Sequence, residues 1–245
     1  MSIHISFNSD KQKIIELASK KLSSILSKYF IKKIPILLLL SGGSALSFLD
    51  QIDKSVLGSH LTIGVLDERY SQNPSNNNFH QIIQTQFYSA AKKADANFID
   101  TQLQEKESQS ELQRRFDQAL ISWRIAHSNG KILITQGIGP DGHTAGILSF
   151  PEDEKKFDQL FNNPGVWTVA YNATGKNPYP NRVTTTLTFL KQVDSSICFV
   201  CGDEKQAALK RAVQKQGSLS ETPAKIINSM SEVWLFTDIQ INTSI

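Results

Sequence analysis

Two side chains able to handle a proton, Asp141 and His143, stand in the stretch Lys131 to Pro151, KILITQGIGPDGHTAGILSFP. An unperturbed imidazole titrates near about 6.5, so it is largely neutral at working pH and can accept a proton. The run Ile132-Leu133-Ile134-Thr135 reads as a strand and leads into three glycines, then into small residues able to open a helix. Strand, tight turn and helix start is where open α/β sheets place their ligands. Gly137, Gly139 and Gly142 also satisfy G-x-G-x-x-G, the dinucleotide pattern. That fingerprint belongs in a first βα unit with an acid about 20 residues on. Here it lies past mid-chain, and the Asp141 carboxylate would repel a pyrophosphate.

Anion-binding chemistry recurs at other strand ends. Ser41-Gly42-Gly43-Ser44 follows the apolar run Ile36 to Leu40 and precedes a short helix over 45–49. Its two glycines let backbone N–H groups turn toward an anion, although Gly-Gly is also ordinary turn punctuation. Asp67-Glu68-Arg69-Tyr70 ends the next strand, Leu61 to Leu66. Three charges there are most simply solvated, yet they face the same rim. Arg182 opens the β-branched run to Thr186, where a guanidinium could grip a phosphate bidentately or lie on the surface. Lys205 falls in the first turn of a helix over 204–216, opened by Asp203 and Gln206 at capping-box spacing. A cation at that end opposes the helix dipole, so it could serve an anionic ligand or dangle on the surface.

The elements that must position these residues alternate between strand and helix. Ser9, three residues before Gln12, opens an amphipathic helix carrying Ile14, Ala18, Leu22, Ile25, Leu26 and Tyr29. Further helices are expected over 79–88 and 107–127, with a short strand at 96–99. Strands are expected over 166–171, 195–201 and 233–236, with a short helix from Pro223. At 245 residues and 40% hydrophobic content, the chain can bury the core of one α/β domain over 1–245. Its 26 basic and 23 acidic residues are spread along the chain, so the net charge of +3 is no nucleic-acid footprint. No segment reaches roughly 18 uninterrupted apolar residues, and MSIHISFNSDKQ has no hydrophobic signal core, so a cytoplasmic protein is expected. Cys198 and Cys201 lie on one strand about 10 Å apart and facing opposite ways, which suits buried thiols rather than a disulfide. Asn172 and Asn242 match the glycosylation pattern, which carries no meaning without secretion.

Six blocks resemble the 6-phosphogluconolactonase family in sequence and order: SGGS at 41–44, DERY at 67–70, SNNNF at 75–79, GIGPDGHTAG at 137–146, RVTTT at 182–186 and GDEKQAAL at 202–209. The resemblance implies a three-layer α/β fold, an open, mostly parallel sheet with helices on both faces, Rossmann-like and of the deaminase/lactonase type. It implies hydrolysis of 6-phospho-D-glucono-1,5-lactone to 6-phospho-D-gluconate in the pentose phosphate pathway. His143 would be the general base that activates water, and Asp141 would orient the imidazole or the substrate hydroxyls. Gly42, Gly43, Ser44, Asp67, Arg69, Gly142, Arg182 and Lys205 would contact the sugar phosphate. A lactone is an activated ester, so a base and oxyanion donors suffice, and neither cofactor nor metal is expected. Ser41 and Ser44 lack the G-x-S-x-G elbow of a nucleophile, and Asp141 with His143 falls short of a metal-ligand set. The expected partner is a small sugar phosphate, with neither nucleic acid nor membrane; a monomer is expected, with an oligomer left open.

The same superfamily holds glucosamine-6-phosphate deaminase, and a non-catalytic sugar-phosphate binding module is a second alternative. The deaminases typically carry a tyrosine where this chain has Arg69 and a glutamate where it has Leu148. The chain also departs from the lactonase pattern. Ser44-Ala45-Leu46 replaces the usual Ser-Thr-Pro, and Gly146 to Pro151 is longer than the usual Ser-Leu-Phe-Pro. Neither change removes a charged group.

Overall fold

A run without a polar face needs cover on both sides, and Ile36–Leu40, ILLLL, is buried along its whole length. The computed structural model describes residues 2–241, which leaves the Asn242 sequence pattern outside the described residues. The strands are β1 (Ser2–Phe7), β2 (Ile36–Leu40), β3 (Leu61–Val65), β4 (Asp67–Arg69), β5 (Asn97–Phe98), β6 (Lys131–Gln136), β7 (Thr168–Asn172), β8 (Asn181–Thr185), β9 (Ser195–Val200) and β10 (Glu232–Thr237). The α-helices are α1 (Lys11–Ile31), α2 (Asn78–Ile83), α3 (Gln86–Lys93), α4 (Gln109–Ala126), α5 (Glu154–Phe161), α6 (Leu187–Leu190) and α7 (Gln206–Val213).

Seven strands form a parallel sheet in the order β1-β10-β9-β6-β2-β3-β5. One apolar cluster lies under α1, α2, α3 and the 3-10 helix Gly43–Gln51, around Ile14, Leu22, Phe48 and Phe79. A second fills the opposite face beneath α4, α5 and α7, around Phe116, Phe161 and Leu209. This is the expected three-layer α/β architecture. From β2 the chain proceeds to β3 on one side, whereas from β6 it proceeds to β9 on the other. The loops that leave these two neighbours therefore diverge and open a crevice at their carboxyl ends.

A second sheet, antiparallel and ordered β4-β8-β7, lies beside that crevice and was not part of the sequence expectation. Asp67–Arg69 reads as a charged loop because its pairing partner is remote; the register sets Asp67 opposite Thr184, Glu68 opposite Val183 and Arg69 opposite Arg182. Leu66 alone separates β3 from β4. Its N–H donates to the Leu40 carbonyl at 2.9 Å, and its own carbonyl accepts from Thr185 N at 3.0 Å, so one residue hands the chain from one sheet to the other.

Several boundaries differ from the sequence expectation for local reasons. Asp10, not Ser9, caps α1, its carboxylate accepting from Gln12 N at 2.8 Å. The expected helix over 79–88 divides into α2 and α3, because Thr85 caps the second through Tyr88 N. The helix expected over 204–216 begins as a 3-10 turn, Asp203–Lys205, and α7 ends at Val213; Asp203 makes no capping bond. Strand β1 is an addition to the expected set. By contrast, α4 follows the expected span and opens on a complete capping box between Ser108 and Glu111. Cys198 and Cys201 are free and buried, one in each apolar cluster, and burial pushes their thiols up to about 12 and about 11. Among the described residues, no helix is long and apolar enough to cross a membrane.

Candidate active site

The missing side chain of Gly139 is what lets the His143 ring fold back over its own loop. A Cβ at 139 would lie 2.1 Å from His143 Cε1 and 2.8 Å from Asp141 Oδ1. The loop closes on itself as Gly139 N donates to the His143 carbonyl and Gly142 N to the Gly139 carbonyl, both at 2.9 Å. Asp141 Oδ1 accepts from His143 N at 3.1 Å and meets His143 Nδ1 at 2.5 Å. Burial alone would raise the Asp141 carboxyl, but the hydrogen bonds and charge of His143 outweigh it and hold the group below the usual carboxylate range. With Nδ1 engaged, Nε2 is the ring nitrogen without a hydrogen bond among the described residues, and His143 lines a cleft of about 330 Å³.

The cleft occupies the crevice between β2 and β6. On the β2 side, Gly42 precedes the 3-10 helix Gly43–Gln51 without any side-chain cap, which leaves the first N–H groups of that helix open. This corrects the expected short helix over 45–49 in type and length. Lys205, standing at the start of α7, places Nζ 3.3 Å from Ser44 Oγ.

The second sheet supplies the opposite wall. Asp67 and Arg69 share one face of β4 and line the cleft together with Arg182. Arg182 is no surface arginine: its side chain is 7% exposed and donates Nη1 to Asp67 Oδ2 at 2.9 Å, with Asp67 itself 6% exposed. Its Nε donates to the Tyr179 carbonyl at 2.9 Å and its Nη2 to Asn177 Oδ1 at 3.0 Å. Three of the five N–H donors of a guanidinium are thereby occupied. Arg69 is held differently. Its Cζ lies 4.8 Å from the centre of the Tyr179 ring, and its Nε is buried without a partner.

Glu68, on the other face of β4, overturns the simplest reading of DERY. It is fully buried and accepts from Asn78 N at 2.5 Å, Phe79 N at 3.0 Å, Arg69 N at 2.8 Å and Thr101 Oγ1 at 2.9 Å. Burial pushes its carboxyl up to about 7 against the pull of those four donors. The group ties the start of α2 to β4 and so fixes the neighbours on either side of it.

The longer turn after His143 also has a structural task. Gly146 has φ +70°, and a Cβ there would strike the Asp67 carboxylate at 2.6 Å. Tyr171 donates to the Gly146 carbonyl at 2.5 Å and accepts from Leu148 N at 3.3 Å. Leu148 is buried in the apolar cluster, so the position of the deaminases' glutamate belongs here to the core and not to the cleft.

Two sequence-expected residues fall outside the lining. Asp141 supports the imidazole from beside the cleft, and Gly142, at φ +91°, packs against Thr222 with its carbonyl bonded by Ala224 N at 3.0 Å. Gly142 is a turn residue, because its positive φ directs it to the Pro223–Ser229 segment. Sequence reasoning gave no role to Asn78, Asn177 or Tyr179, all of which line the cleft. Asn78 stood within the SNNNF block, but nothing marked Tyr179 within its turn-rich loop. Among the described residues, no group of three or more His, Cys, Asp or Glu side chains could hold a metal ion.

The family model for glucosamine-6-phosphate isomerases/6-phosphogluconolactonase matches residues 9–235. The chain belongs to that family. Within it, a 6-phosphogluconolactonase of Rattus norvegicus is 27% identical over 192 residues, covering 73% of this chain and 69% of that protein. A Caenorhabditis elegans relative is 28% identical over 102 residues, which is 42% of this chain and 36% of that protein's length. Solved structures of 6-phosphogluconolactonases share the fold. The one from Trypanosoma brucei has TM-score 0.76 at 17% identity and 96% coverage of each chain, and the one from Shewanella baltica 0.74 at 17% identity and 97% of each.

Proposed function

We propose that this chain, acting as one domain over residues 1–245, hydrolyses 6-phospho-D-glucono-1,5-lactone to 6-phospho-D-gluconate, the lactone step of the pentose phosphate pathway, in the cytoplasm. The observation that carries the reading is the Asp141–His143 contact at the rim of a cleft whose far wall offers open helix N–H groups and Lys205. The Rattus norvegicus relative is a 6-phosphogluconolactonase, and the burial of Leu148 speaks against a deaminase.

In this mechanism Asp141 holds the Nδ1 proton and thereby fixes the tautomer with a basic Nε2. Nε2 takes a proton from water as the water oxygen adds to the lactone carbonyl carbon, C1. The tetrahedral adduct collapses with cleavage of the bond from C1 to the ring oxygen. The proton passes from His143 to that oxygen, which becomes a hydroxyl, and the new carboxylic acid ionises in water. No covalent enzyme intermediate is required.

The phosphate is assigned to the amides of Gly42, Gly43 and Ser44, with Lys205 and Arg69 as its cations. Arg182 carries a charge already matched by Asp67, so this pair is assigned to the sugar hydroxyls through its two remaining N–H donors and the carboxylate. The test is to generate the lactone in situ and follow its loss against the spontaneous rate. Acceleration by catalytic amounts of protein is expected; identical rates with and without protein would overturn the proposal.

A further inference from the structure

The two arginines of the cleft are held by different means. Arg182 is anchored by an ion pair and two further hydrogen bonds. For Arg69, no carboxylate lies within ion-pair distance among the described residues, its Nε lacks a partner, and the contact that orients its guanidinium is the face of Tyr179. A ring face attracts a cation without consuming its N–H donors, so the guanidinium edge stays free for an anion. The backbone of Tyr179 is fixed independently of its ring, since its carbonyl accepts from Arg182 Nε at 2.9 Å and its N–H donates to Asn177 Oδ1 at 3.0 Å.

We propose that Tyr179 is the positioning residue of Arg69. Its ring holds the guanidinium over the cleft so that a phosphorylated ligand meets a pre-oriented cation. The proposal rests on the assignment of Arg69 to the phosphate. A short loop thus serves both arginines, gripping Arg182 through its backbone and Asn177 and steering Arg69 through one aromatic face. Tyr179 is 38% exposed and belongs to neither apolar cluster, so removal of its ring leaves the core intact.

The test is calorimetric binding of the stable product, 6-phosphogluconate, to the wild type, Tyr179→Ala, Tyr179→Phe, Arg69→Ala and the double variant Arg69→Ala/Tyr179→Ala, with the thermal midpoint of each recorded. Tyr179→Ala is expected to weaken binding roughly fivefold, the scale of a half-exposed cation–π contact. Tyr179→Phe should bind as the wild type does, since the ring and not the hydroxyl acts. In the Arg69→Ala background, loss of the ring should add nothing. Wild-type affinity in Tyr179→Ala, or a full additional loss in the double variant, would overturn the proposal; the latter would mean that the ring touches the ligand itself. A wild type that fails to bind 6-phosphogluconate would instead overturn the phosphate assignment beneath it, which is a different pattern.

Discussion

Arg69 and Arg182 stand directly opposite each other across β4 and β8. Like charges in that arrangement repel, and Asp67, two residues along β4, neutralises only Arg182. The two arginines should therefore respond differently to removal. Arg182→Ala leaves the Asp67 carboxylate buried and unpaired and is expected to cost roughly 3–5 kcal/mol of stability, read as a lower denaturant midpoint. Arg69→Ala should keep the stability within about 0.5 kcal/mol and raise KM for the phosphorylated lactone. Equal midpoints for the two variants would contradict this division.

His143→Ala is expected to lose roughly 10² to 10⁴ in kcat with KM little changed, the usual worth of a general base. Asp141→Asn keeps the shape of the contact but can offer an N–H where the carboxylate accepted one, which favours the wrong tautomer. A fall in kcat of at least about tenfold is expected. Near wild-type turnover in either variant would remove that residue from the proton path.

Gly139→Ala tests the fold-back of the imidazole. A methyl group 2.1 Å from the ring must displace it, and a displacement of about 1 Å can cost on the order of 10² in rate. The expected signature is a fall in kcat while 6-phosphogluconate still binds, because the phosphate contacts lie across the cleft. Unchanged kcat would show that His143 tolerates another position.

Glu68 gives the stability a pH dependence whose sign is fixed by its raised folded-state pKa. A pKa of about 7 in the fold against 4.5 for the free group means that the folded chain binds the proton more tightly. The contribution is then complete below about 4.5 and is lost as the pH rises through about 7. The full effect corresponds to roughly 3 kcal/mol. Unfolding free energies of the wild type and Glu68→Gln should diverge in slope across that interval; parallel profiles would refute the titration.

Local signals made much of the frame legible. Ile36–Leu40 and Ser195–Val200 announce central strands by lacking a polar face, and the Ser108–Glu111 box marks the start of α4. What escaped were features that depend on remote partners. Asp67–Arg69 becomes a strand only because β8 lies beside it, and Glu68 finds its donors in the fold from two amides at the start of α2, the Thr101 hydroxyl and the Arg69 amide. Near the site, the glycines at 42, 43 and 139 could be read from spacing, although only the demand on Gly139 is local: a Cβ there meets its own loop, whereas one at Gly42 meets the remote Asn78. The role of Gly142 could not, because its direction is set by Thr222, and Tyr179 could not, because its ring meets Arg69 across the sheet.

The handover at Leu66 also orders events in time. Asp67 and Arg182 are separated by 115 residues, so at about 5–20 residues per second roughly 6 to 23 seconds of synthesis divide the carboxylate from its guanidinium. Through that interval β4 has no partner strand and Asp67 stays hydrated, while the segments of β2 and β3 already exist. A chain interrupted before Asn181 would carry the SGGS loop and the His143 loop but only one wall of the cleft. Non-local closure of this kind is slow to form, and it leaves the cleft one-sided until late: the wall that carries Asp67 and Arg182 is complete only when β8 has emerged beside β4.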